Sequence, residues 1–86
     1  MTPEDLKEHL RKKPFVPFRI TLTDGSTHDV RHPELCMVGR RSVEIGVGVK
    51  ENDPDLLFDR IVHADVFHVV KVEPLAPGST NLNGPS

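Results

Sequence analysis

The chain has 86 residues, with eleven Lys and Arg against thirteen Asp and Glu, for a net charge of −2. That near-neutral balance excludes a general electrostatic grip on duplex DNA, which strengthens with every phosphate neutralised. A chain this short forms one small domain and buries only about 60–65% of the surface its unfolded form exposes, so a deep enclosed cleft is not expected and association with copies of itself would add stability.

The opening stretch "MTPEDLKEHLRKKP" has no apolar run. It reads as neither a signal peptide nor an anchor, and nothing later approaches the ~20 apolar residues of a spanning helix. The expected compartment is the cytoplasm. Residues 2–13 predict a helix. Thr2 suits the N-cap, Pro3 the first turn and Asp5 a capping box, with acids early and bases late to match the helix dipole. Leu6 and Leu10 give it one thin apolar stripe. Pro14 and Pro17 stop it.

From there the period becomes two. Phe18, Ile20 and Leu22 alternate with polar residues, which predicts a half-buried strand. Asp24-Gly25 predicts a two-residue hairpin with positive φ at both positions. The return strand "STHDVRH" is limited by Pro33. "ELCMVG" reads as a third strand or as the second continued past a bend. "VEIGVGV" puts Val43, Ile45, Val47 and Val49 on one face. On its other face Gly46 and Gly48 signal bending or close backbone approach. "LLFDRIV" reads as the next strand, "HADVFHV" as a compact turn and "VVKVE" as the last strand. Phe18, Phe58 and Phe67 fall inside apolar runs and are expected in the core, whereas Phe15, between prolines, is the aromatic expected nearest the surface. "PLAPGSTNLNGPS" has the composition of a disordered tail.

The sum predicts a mainly β fold. A short N-terminal helix is followed by about five antiparallel strands forming a small SH3-like or Sm-like barrel, in one domain over residues 1–73, with a tail over 74–86.

The stretch "LTDGSTHDVRHPE" concentrates candidate chemistry. On a straight strand His28 and His32 share a face about 13 Å apart, too far for one zinc ion. Ser26 and His28 stand about 6.6 Å apart, with Asp29 behind, which does not make a nucleophile–base relay. Asp29 and Arg31 can pair with each other or with a neighbouring strand. A metal site needs ligands from several strands, with His28, His32, His63 and His68 as candidates beside Asp65 or Glu34. Cys36 lies in an apolar run and reads as a small core residue. The Gly46-x-Gly48 pair lacks the helix that would make it a phosphate loop, so no cofactor is expected.

"PFVPFRITLTDGSTHDVRHPE" with the later "FHVVKVE" resembles a set of small bacterial proteins that share a Pro-Phe-x-Ile-x-Leu-x-Asp-Gly start, over residues 14–73. More distantly, the helix and bent sheet are similar to Sm-like proteins. His63-Ala64 matches part of their second motif, with Val62 where they carry lysine. That resemblance implies a ring and single-stranded RNA, with Arg40 and Arg41 on phosphate and His63 near a base. The leading expectation is a non-catalytic small-barrel interaction module that binds itself or another protein. RNA binding is the alternative, and a histidine-based metal site comes third.

Overall fold

A computed structural model describes residues 1–50 and 52–75 of the chain. A helix, α1 (Pro3–Arg11), precedes six strands: β1 (Phe18–Leu22), β2 (Thr27–Val30), β3 (Cys36–Val38), β4 (Ser42–Val47), β5 (Arg60–Asp65) and β6 (Val69–Pro74). They form two three-stranded antiparallel sheets, ordered β2-β1-β6 and β3-β4-β5.

The mainly β character and the N-terminal helix stand. The barrel does not, because the two sheets remain separate and no ladder joins them. The reason lies at the two crossings between them. After β2 the chain turns through a single 3₁₀ turn, Pro33–Leu35, before β3 begins. Pro33 has no N–H for a ladder and favours a first helical turn. After β5 a second 3₁₀ turn, Val66–His68, leads into β6, and the Asp65 carboxylate caps it by accepting from the Phe67 N–H at 2.8 Å. Each crossing breaks the run of paired residues that a bent, continuous barrel strand would need. All four outer strands, β2, β6, β3 and β5, are therefore sheet edges.

The core lies between the sheets and under α1. Phe18, Ile20 and Val30 from the first sheet meet Val43 and Ile45 from the second, with Leu6 and Val66, all fully buried. The helix start is the expected one. The Asp5 N–H donates to Thr2 Oγ1 at 3.1 Å, and the Thr2 N–H donates to Asp5 at 3.4 Å. Hydrogen bonding from the Thr2 side chain, and then from its N–H, holds the Asp5 carboxyl below its usual range. Leu6 carries the helix into the core, and the His9 ring lies 5.3 Å from that of Phe18.

Several local expectations change. The first hairpin is not a two-residue turn: Gly25 alone takes positive φ (+87°), and its N–H donates to the Leu22 carbonyl while the Leu22 N–H donates to Ser26. That is a type I turn over Thr23-Asp24 closed by a glycine bulge. Gly48, at φ +83°, ends β4, so Val49 leaves the strand face. Gly46 meets the expected close approach, since a Cβ there would lie 3.1 Å from the Phe58 side chain and 3.2 Å from that of Leu35. Residues 56–59 precede β5 instead of belonging to it, and His63, Ala64 and Asp65 extend it. Phe18 is the buried phenylalanine; Phe15 packs edge-on against it, whereas Phe58 and Phe67 are exposed. β6 runs through Pro74, and the Leu75 N–H donates to the Pro17 carbonyl. The rest of the expected tail, residues 76–86, lies outside the described residues.

Leu6→Ala removes the anchor of α1 and should cost about 2–4 kcal/mol. Urea unfolding should show a lower midpoint with an unchanged slope. A loss below about 1 kcal/mol would mean that the helix does not depend on this contact.

Candidate functional site

The polar hairpin is built from short local bonds. The Ser26 Oγ–H donates to Asp24 at 2.6 Å, the Ser26 N–H to the same oxygen at 2.9 Å, and His28 Nε2 lies 3.2 Å from Ser26 Oγ. Ser26 and His28 thus touch, contrary to the straight-strand estimate, because the two side chains lean together along the strand. The order is nevertheless wrong for a nucleophile. The carboxylate takes the serine proton, whereas a relay needs imidazole to take it and a carboxylate to orient the imidazole. Both bonds from Ser26 hold the Asp24 carboxyl below its usual range.

On the outer face of the first sheet, Arg19 and Asp29 sit opposite each other across β1 and β2. The guanidinium forks onto the carboxylate at 2.8 and 3.3 Å, and Arg31 approaches the same group at 3.4 Å. The hydrogen bond from Arg19 is the main reason Asp29 is held below its usual range, and Asp29 in turn pushes the Arg19 pKa up.

This wall bounds an open cleft of about 950 Å³. The facing wall is the end of β4, the loop after it and Arg60 at the start of β5. The cleft carries Arg19, Arg31, Lys50 and Arg60 against Asp29 and Asp53. Both acids are engaged, Asp29 by the arginines and Asp53 by the N–H groups of Asp55 and Leu57. Lys50 and Arg60 have no ion-pair partner among the described residues. The free edge of β2 also faces this space. The Leu22–Ser26 bond fixes which residues of β2 turn their main chain toward β1. By strict alternation His28 and Val30 do so, and Thr27 and Asp29 point away.

The second sheet has a different edge. The Val66 N–H donates to the Arg41 carbonyl at 2.7 Å, one step beyond the Ser42–Asp65 pair. Alternation then directs Val62 and Ala64 to β4 and leaves the main-chain groups of Ile61, His63 and Asp65 on the open side. Apolar surface flanks this edge: Ile61 is 52% exposed and Phe58 48%. On the same outer face His63 Nδ1–H donates to Glu44 at 3.0 Å.

Of the residues singled out from sequence, Arg40 and Arg41 are exposed at the hairpin between β3 and β4, and His63 lies on β5 near that end of the sheet. His28 and His32 line the cleft, and His68 is exposed in the second 3₁₀ turn. Among the described residues no three His, Cys, Asp or Glu side chains gather as metal ligands, which removes the metal-site reading. Cys36 is buried, and burial pushes its thiol up to about 11. Lys50, Arg60 and the β5 edge were not singled out from sequence. Reading 56–62 as a strand placed Arg60 mid-strand and hid it as the lip of a cleft.

Family models, curated proteins and solved structures all gave no match to this chain. With two unclosed sheets as well, neither the Pro-Phe-x-Ile resemblance nor the Sm-like one, with its barrel, ring and RNA site, is carried further. No helix among the described residues is long and apolar enough to cross a membrane.

Two outcomes follow. The lowered Asp29 value means that the folded state binds fewer protons than the unfolded one. Its contribution is present above an ordinary carboxylate pKa of about 3.9 and fades as pH falls through the folded value. Asp29→Asn should therefore flatten the loss of stability below about pH 4 relative to the parent chain, measured by denaturant unfolding across pH. Parallel curves would sink this assignment. Cys36 should stay inert to a thiol reagent at pH 8 in native buffer and react fully in denaturant, whereas rapid native labelling would contradict its burial.

Proposed function

We propose that the chain is a non-catalytic, β-rich cytoplasmic domain that works by associating with itself through the open edge of β5. The observation that carries this reading is the combination at that edge of outward main-chain groups on Ile61, His63 and Asp65 with exposed Ile61 and Phe58. An uncovered edge of this kind templates pairing with another strand.

A second copy fits the edge under a two-fold axis perpendicular to the sheet. That symmetry keeps each face matched to itself. With outward groups on residues 61, 63 and 65, Ile61 meets His63 of the partner subunit and Val62 meets Val62 of the partner subunit. The Ile61 side chains of both copies then lie on the same face, diagonal to each other across the seam. The alternative register sets Ile61 against an aspartate and is disfavoured. Dimerisation would also extend a core that is small for the chain length. The non-catalytic part of the reading rests on the Asp24–Ser26–His28 order and on the raised, buried thiol of Cys36.

Sedimentation equilibrium from micromolar to millimolar protein should show a reversible monomer–dimer transition. Ile61→Lys places a charge on the pairing face and should weaken it by about tenfold or more while leaving the unfolding free energy of the monomer within about 0.5 kcal/mol of the parent value. A monomer at every concentration would refute the proposal. So would larger rings or an Ile61→Lys chain that dimerises as before.

A further inference from the structure

The cleft beside β2 combines two features that do not depend on self-association. Thr27 and Asp29 line it, alternation turns their main-chain N–H and C=O groups away from β1, and no hydrogen bond among the described residues uses those groups. Around that edge stand four basic groups against two acids, on a chain whose net charge is −2. Positive charge is thus concentrated beside ladder positions of β2 that are unpaired among the described residues.

We infer that this cleft binds an extended acidic peptide segment, which adds as a strand to the edge of β2. Alternate residues of a strand project to opposite faces. A segment paired with Thr27 and Asp29 therefore sends every second side chain across the cleft, where Lys50 and Arg60, with no ion-pair partner among the described residues, offer cations to its carboxylates. Arg31, 65% exposed and only loosely held by Asp29, adds a third. The main-chain bonds give a grip that does not depend on sequence, and the cations select acidic side chains. A small anion would use only the cations and leave the edge empty. β5 differs in that its edge is flanked by apolar side chains, which suits a copy of itself and not a charged strand.

The test uses the full chain and three synthetic octapeptides: alternating Val-Glu, alternating Val-Lys, and Val-Glu with N-methyl groups on alternate amides. Nuclear magnetic resonance titration should show the Val-Glu peptide shifting the amide signals of Thr27 and Asp29. The Val-Lys peptide should leave them unmoved, and N-methylation should abolish the shifts. Replacing both cations, Lys50→Gln with Arg60→Gln, should raise the Kd by about five- to tenfold, in line with two partly exposed ion pairs, and the affinity should fall with salt. Retained binding after N-methylation, equal binding of the lysine peptide, or the same shifts from free glutamate would each overturn the inference. Because the readout is at Thr27 and Asp29, failure here leaves the β5 reading standing, and the reverse holds.

Discussion

The architecture depends on two single-turn crossings. Pro33 opens one and the Asp65 cap holds the other. At both places the backbone is satisfied locally, inside a 3₁₀ turn, and not by a neighbouring strand. A strand that ran through either point would join the two ladders. Because neither does, the described residues keep a shared core but leave four strands at sheet edges.

Those edges differ in what surrounds them. β5 stands among exposed apolar side chains, and β2 borders a cleft in which basic groups outnumber acidic ones. Strand edges are usually blunted by charge, proline or cover. Along β2, Asp29 and Arg31 supply charge. Along β5 the protection is thinner: Arg60 and Asp65 mark its ends, while Ile61 and Val62 lie between them. A two-fold partner would cover that interval, and the same physical rule assigns a charged strand to β2.

The sequence was most legible where one rule acted alone. Thr2, Pro3 and Asp5 specify the helix start, and Phe18, Ile20 and Leu22 specify the first strand by their alternation. Legibility failed where rules competed. Asp24-Gly25 reads as a two-residue turn, yet one residue more relaxes Asp24 out of positive φ and leaves only glycine there. The apolar look of "LLFDRIV" hid a loop, since Leu56 takes φ +53° and Asp53 ties the segment to itself. Closure of the sheets is a long-range property, and no local pattern of side chains announces it. Alternation missed Ser26 meeting His28, because side-chain lean is not a property of Cα spacing. The cleft was invisible for the related reason that Lys50 and Arg60 are brought to the β2 edge only by the path of the chain between β4 and β5.

The central claim is that the main-chain groups at the sheet edges are open and are used by partners. Amide hydrogen exchange, resolved residue by residue at low and high protein concentration, tests it most directly. Thr27 and Asp29 should exchange fast at both concentrations while His28 and Val30 are protected. Ile61 and His63 should exchange fast in dilute solution and become protected as concentration rises. Uniform protection along β2 in the isolated chain, or concentration-independent protection along β5, would mean that the edges are already paired and would contradict the account.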